Sequence, residues 1–143
     1  MKTNMMMNMV LALGTVSVSG SALHAQSYEL KANIPFAFQV NNTTYAAGKY
    51  EVKLGSEFTP SLGSQATGHK DFIAGASPIL SGPPASKLVF HCYDGNSTCF
   101  LAEIWPSSSH GTAVPTSKAE KELKSSQRTH QMASIAVDLR RAD

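Results

Sequence analysis

The sequence predicts an all-β fold, a small antiparallel β-sandwich or barrel with one short α-helix near the C-terminus. Beyond residue 25, apolar and polar residues alternate along most of the chain, and turn-forming residues recur at roughly eight- to twelve-residue intervals. One segment, SKAEKEL, departs from this alternation. Ser117 is a typical helix N-cap and Glu120, three residues later, is its capping-box partner, so we expect about two helical turns there.

The first predicted strands lie on either side of a proline. The segments SYELKANI and FAFQV both alternate apolar and polar residues. Pro35 separates them and has no backbone N–H to donate, so they form either two strands or one kinked strand. The asparagines of NNTT tolerate left-handed backbone and predict a hairpin turn. AAGKY then predicts a second turn at Gly48, and YEVKL predicts the next strand.

The segment from Ser56 to Ser86 has the weakest pattern. It mixes Gly, Pro and Ser, with one strand predicted at KDFIAGA and a loop at SGPPAS, because consecutive prolines do not fit inside a sheet. The following runs, KLVFHCY and CFLAEIW, are apolar on both faces and predict a central hairpin covered on both sides. MASIAVDLR alternates again and predicts a closing strand that pairs near the first one.

The two cysteines lie in this central hairpin, within HCYDGNSTCF. If residues 94–97 form the turn, Cys92 lies directly opposite Cys99, at a separation that a disulfide closes with slight adjustment. In the chain-entropy model so short a loop contributes roughly 2.5 kcal/mol. The alternative is a thiol or metal site that includes His91. Neighbours in a strand point to opposite faces, so His91 is badly placed to activate Cys92 or to share a metal with both cysteines.

Other polar residues give weaker candidates for a site. In an extended GHKD segment, His69 and Asp71 share one face, as an acid–base pair, as two metal ligands or simply as a solvated strand start. Glu103 is the only carboxylate in an apolar strand, which suits either a tuned acid or an outward-facing partner of Lys87. The sequence contains none of the common hydrolase, metalloprotease, phosphate-loop or calcium-loop motifs. We therefore predict no catalytic residue, metal or cofactor.

The N-terminus predicts export. Residues 1–25 have one lysine, an uncharged stretch and small residues, the layout of a signal peptide cleaved after Ala25, with Ala22 as the alternative. The stretch is too short and weak for a membrane span. Cleavage leaves one β-rich domain, residues 26–143, of 143 − 25 = 118 residues. Its net charge, about +1, gives no indication of nucleic-acid binding.

Several segments together resemble a known group of proteins. IPFAF, AAGKYEV, KLVFH, FLAEIW and PTSKAEKEL are similar to recurrent landmarks of uncharacterised small secreted β-rich proteins abundant in acidobacteria and related soil bacteria. The resemblance covers most of residues 26–143 except the segment from Ser56 to Ala85. It implies an exported β-rich domain and assigns no functional site.

The expected function is that of an exported, non-enzymatic structural or ligand-binding module, secreted or periplasmic, with an extracellular or envelope ligand and a monomeric or weakly homo-oligomeric state. One alternative is a self-assembling cell-surface protein that uses an exposed edge strand. The other is a small secreted hydrolase using His69 and Asp71, or His91.

Overall fold

The computed structural model describes residues 28–55, 59–126 and 132–141, so the predicted signal peptide and its cleavage site lie outside the described residues. Within them the chain forms short strands and one helix, which confirms the all-β class. In chain order the elements are β1 (Tyr28–Ile34), β2 (Phe38–Val40), β3 (Thr43–Tyr45), β4 (Gly48–Leu54), β5 (Pro60–Ser64), β6 (Lys70–Phe72), β7 (Ser77–Ile79), β8 (Lys87–Tyr93), β9 (Thr98–Trp105), β10 (Gly111–Ala113), α1 (Lys118–Ser125), β11 (Ala133–Asp138) and β12 (Arg140–Arg141).

The strands form two sheets around one core. The first sheet has the order β12-β1-β4-β5-β6, and the second has the order β11-β8-β9-β10-β7, with β2 and β3 joined to it through β9. Buried residues of both sheets belong to one apolar cluster, for example Leu30 and Val52 from the first and Leu88 and Phe90 from the second. A single core between two sheets, antiparallel except for the parallel pair of β2 and β9, gives the sandwich-like half-barrel.

A long bent hairpin connects the two sheets at the N-terminal end. The β1–β4 ladder ends at the pair Ile34–Gly48, and the β2–β3 ladder resumes at Phe38–Tyr45. Pro35 lies between these ladders, and β1 and β2 belong to different sheets, so the two-strand alternative is the observed one. The predicted turn at Gly48 is wrong, because the chain bends there into the other sheet and does not reverse.

The central hairpin of β8 and β9 is covered on both faces, as the sequence predicted. Leu88 and Phe90 point into the core, while Tyr93 and Trp105 lie on the other face and are also buried. Segments outside the sheet, including α1, cover this second face. A hairpin without a solvent-exposed face explains why its sequence shows little alternation.

The segment from Ser56 to Ser86 was predicted to contain one strand, but its described residues form three. The predicted KDFIAGA strand is wrong as a unit, because it is interrupted at Gly75, whose φ of 72° is left-handed. Only Lys70–Phe72 is extended there, and β7 begins at Ser77 in the other sheet. The strand β5 was not predicted.

The C-terminal strand also divides between the sheets. β11 pairs with β8, and only the two residues of β12 pair with β1, opposite Leu30 and Lys31. Between them Leu139 is buried and donates its backbone N–H to the carbonyl of Ser86 at 3.1 Å. The predicted pairing with the first strand therefore holds only for the end of the segment.

The helix begins where the capping pattern placed it. The Ser117 hydroxyl accepts the backbone N–H of Glu120 at 3.2 Å. The carboxylate of Glu120 turns toward the second sheet, so the reciprocal half of the predicted capping box is replaced by a tertiary contact. No helix in the described part of the chain is long and apolar enough to span a membrane.

Candidate functional site

Cys92 and Cys99 lie directly opposite each other in the central hairpin, with Cα atoms 4.1 Å apart and sulfur atoms at disulfide distance. Both side chains are buried, and no cysteine among the described residues is free. His91 lies on the other face of β8, so the geometry gives no support to the thiol-site alternative. The described residues also contain no group of three or more His, Cys, Asp and Glu placed to hold a metal ion.

His91 instead belongs to a cluster around a buried carboxylate, which we call the Glu120 cluster: Glu120, His91, Tyr93 and Lys124. All three partners approach the same oxygen, Oε1 of Glu120. The Tyr93 hydroxyl donates to it at 2.9 Å, His91 Nδ1 lies at 3.2 Å and Lys124 Nζ at 3.5 Å. Burial, and then the contact with Glu120, raise the pKa of the Tyr93 phenol above its ordinary value, so the phenol remains a donor. The cluster attaches α1 to the outer face of the hairpin.

His69 and Asp71 do come together, as a surface chain that also includes Tyr45. His69 Nε2 lies 3.0 Å from Asp71 Oδ2, and the Tyr45 hydroxyl donates to the same oxygen. Burial, followed by the contacts with Asp71, raises the pKa of the Tyr45 phenol. Among the described residues the His69 ring has no second partner, and the Tyr45 hydroxyl bonds to Asp71 and not to the imidazole. The group therefore has an imidazole and an orienting carboxylate, but no hydroxyl or thiol bonded to the imidazole for it to activate.

Glu103 has a structural partner that the sequence did not suggest. The indole N–H of Trp105 donates to its carboxylate at 2.6 Å, whereas Lys87 makes no ion pair with it. The Trp105 ring is 2% exposed and lies against Gly82 and Gly111 so closely that a Cβ at either glycine would overlap it. Glu103 thus satisfies the one polar atom of a buried ring.

A large opening lies elsewhere, where the two sheets separate. We call it the basic cleft; its volume is about 600 Å³. The buried Ala32 and half-buried Val137 form its apolar floor. Its polar rim comprises Lys31, Asn33, Lys49, Gln65, Asp138 and Arg140.

The strand register creates this cleft. β12 covers β1 only at Leu30 and Lys31, and beyond that point β11 leaves for the second sheet. Lys31 is paired with Arg140, and Asn33 with Lys49, on the face of the first sheet opposite to the core residues. Three cationic side chains therefore converge on one opening.

A smaller cavity of about 130 Å³ lies on the outer face of the first sheet. Its main charged residues already form pairs, with Lys53 lying 3.3 Å from Glu29 and 3.9 Å from Glu51. Because these ion pairs neutralise the charges of the smaller cavity, it has little net charge with which to recognise a ligand. The basic cleft is therefore the stronger candidate site.

None of the sequence-predicted polar residues lines the basic cleft. His69 and Asp71 lie at the edge strand β6, His91 belongs to the Glu120 cluster, and Glu103 is hydrogen-bonded to Trp105. The alternation in β1 does place Lys31 and Asn33 on the solvent face, so this part of the cleft could have been predicted from the sequence. The approach of Arg140, more than a hundred residues later in the chain, depends on the strand crossing at Leu139, and no local pattern encodes that crossing.

Comparison with known proteins adds no relatives: the chain matches no protein-family model, and no curated protein or solved structure is significantly similar to it.

Proposed function

We propose that the domain is an exported, non-enzymatic binding module that holds its ligand in the basic cleft. The cleft itself carries this proposal. Its volume of about 600 Å³ lies in the range of small-molecule sites, and its apolar floor with convergent polar groups has the composition of such sites.

The polar side chains outside the cleft favour binding over hydrolysis. The imidazole of His91 and the carboxylate of Glu120 are committed to attaching the helix, and Glu103 is committed to Trp105. His69 and Asp71 are exposed enough to act, but neither lines a described cavity that would hold a substrate next to them. A hydrolase needs a nucleophile or activated water within hydrogen-bond reach of its base.

A thermal-shift screen of glycans and small molecules with residues 26–143 tests the proposal. Asn33→Trp fills the rim of the cleft from an exposed position, and Glu122→Trp adds the same ring on the exposed side of α1 as the matched control. We expect ligands that raise the melting temperature of the parent domain and of Glu122→Trp, but not of Asn33→Trp. Ligands that bind all three equally would place the binding site elsewhere.

Export is part of the same proposal. A cysteine pair at disulfide distance suits an oxidising compartment, and the apolar, small-residue N-terminus suits a cleavable signal. The exported protein should begin at Gln26, which intact-mass measurement of the secreted or periplasmic fraction checks. Retention of residues 1–25 in that fraction would contradict it.

Assembly through an edge strand is the second candidate. β11 is the last strand in the order of its sheet, and from Met132 to Val137 it carries no charge. Long uncharged edges are templates for pairing with another chain. Size-exclusion chromatography distinguishes the candidates, since assembly predicts a concentration-dependent oligomer that Ala136→Lys abolishes.

A further inference from the structure

The basic cleft contains an arrangement of charge that the fold does not need. Lys31 lies directly opposite Arg140 across the β1–β12 ladder, and like charges in directly opposite positions destabilise a strand pair. Elsewhere on the same face the chain avoids this conflict, because Glu29 lies opposite Lys53 and pairs with it at 3.3 Å. The cationic pairing is thus local to the cleft.

No carboxylate of the described chain neutralises this group. Glu51 lies opposite Lys31 on the other side of β1, but its carboxylate contacts Lys53 at 3.9 Å and Gln65 at 3.4 Å. Lys31, Lys49 and Arg140 form no ion pair among the described residues. Of the described residues that line the cleft, only Asp138 is acidic. An anionic ligand would remove the repulsion that the protein itself leaves unbalanced.

The uncharged residues of the rim indicate which other chemical groups an anionic ligand of the cleft would carry. Asn33 and Gln65 offer amide donors and acceptors, and Asp138 offers acceptors for hydroxyl groups. Among the described residues no aromatic side chain lines the cleft, and Trp105 and Tyr45, which could stack on a neutral sugar, are buried. Binding must therefore depend on charge and hydrogen bonds, which suits a ligand with acidic groups on a hydroxyl-rich frame.

We propose that the basic cleft binds an acidic saccharide, whose carboxylate or sulfate groups pair with Lys31, Lys49 and Arg140. Its hydroxyl groups bond to the amide and carboxylate side chains of the rim. This inference rests on the proposed function, because it names the class of ligand for the same site.

Isothermal titration calorimetry of residues 26–143 with defined oligosaccharides tests the inference. The probes are trigalacturonate, its fully methyl-esterified form as the neutral counterpart, and a sulfated chondroitin disaccharide. We expect at least one acidic probe to bind and the ester not to bind. Lys31→Gln and Arg140→Gln should each weaken binding about tenfold or more, the effect of losing one charge-assisted hydrogen bond. Lys121→Gln, an exposed lysine of α1 outside the cleft, should leave it unchanged.

A stability measurement separates a binding role from a structural one. Because Lys31 and Arg140 repel each other across the ladder, Lys31→Gln should not lower the melting temperature of the free domain while it weakens saccharide binding. A lower melting temperature in Lys31→Gln would show that the lysine serves the fold, and would overturn the inference.

The remaining outcomes are also decisive. Failure of every acidic probe, equal binding of the ester, or an equal loss in Lys121→Gln overturns the inference. So does competition by inorganic phosphate as effective as that by the saccharide, which would indicate a simple anion site. If neutral ligands from the screen fail to bind Asn33→Trp, the ligand class is wrong and the proposed function stands. If no ligand distinguishes Asn33→Trp from Glu122→Trp, both the proposed function and the proposed ligand class are wrong.

Discussion

Glu120 is 3% exposed on a helix whose other charged residues face solvent. One of its oxygens accepts from Tyr93 and contacts His91 and Lys124, so its charge has partners in place of water. The sequence identified this residue only as a capping partner. Its larger role depends on where the helix packs, which the capping pattern does not encode.

Glu120→Gln should therefore lower the free energy of unfolding by about 1.5–3 kcal/mol, the usual contribution of hydrogen bonds to a charged group. Glu122→Gln, on the same helix and exposed, loses only a surface pair with Lys118 at 3.8 Å and should cost less than about 1 kcal/mol. Urea unfolding of both variants measures the difference. Equal effects would mean that the Glu120 cluster does not anchor the helix.

The tyrosines give a prediction about pH. Burial raises the pKa of Tyr45, Tyr50 and Tyr93, and carboxylates raise it further in Tyr45 and Tyr93. Below about pH 10 the phenols are protonated in both folded and unfolded chains. Above it the unfolded chain ionises while the folded chain retains its protons, so stability should fall as the pH rises. Tyr93→Phe should reduce that slope, measured by urea unfolding at pH 8 to 11; an unchanged slope would contradict the shift.

At the scale of elements, the Trp105 ring fixes the spacing between β9 and the segments that cover it. A Cβ at Gly111 would overlap the ring, whereas a Cβ at Gly63, also within a strand, meets only atoms at 3.9 Å. Gly111→Ala should destabilise the protein by about 1–3 kcal/mol through overpacking. Gly63→Ala should be neutral or slightly stabilising.

Fluorescence of the single tryptophan during urea unfolding reports both effects. Gly111→Ala should also shift the native emission, because the ring must move. An unshifted spectrum together with unchanged stability would show that the ring does not need the glycine.

The hairpin of β8 and β9 is held at its end by the cysteine pair. Replacing Cys92 and Cys99 together by alanine should lower the free energy of unfolding by about 1–3 kcal/mol, because a seven-residue separation closes only a short loop. Folding should survive, since the apolar core spans both sheets without the pair. Denaturant unfolding, with a thiol assay of the parent protein, measures this. A free thiol in the parent protein would contradict the bond.

The length of an element decided how well it could be predicted. β8 and β9 are seven and eight residues long, and their apolar content identified them together with the turn that pairs Cys92 with Cys99. β6 and β7 are three residues each, too short for a period of two to show. β5 contains Pro60, Gly63 and two serines, a composition that is typical of a loop. Its extended form comes from pairing with β4, a tertiary effect.

Among the described strands the chain passes from one sheet to the other at four places, near Pro35, Gly48, Gly75 and Leu139. Two of these crossings differ in what the sequence shows. The first, at Pro35, was visible as a break in a strand. The second, at Leu139, was not, because MASIAVDLR alternates without interruption. The basic cleft exists because of the crossing at Leu139, so the sequence predicted the class of fold and left the candidate site undetected. Periodicity assigns a residue to a face of a strand, but it does not say which sheet the strand joins.

Leu139 makes the last of these crossings part of the core. It is 6% exposed and belongs to the apolar cluster that both sheets share, so Leu139→Ala should cost about 2–5 kcal/mol, the cost of a large-to-small change in a core. Leu80→Ala, at a leucine that is 75% exposed, is the control and should change stability by less than about 0.5 kcal/mol. In urea, Leu139→Ala should lower the midpoint without changing the slope, because one core makes both sheets unfold as a unit. A shallower or two-step transition would show instead that the sheets unfold separately once the crossing is weakened.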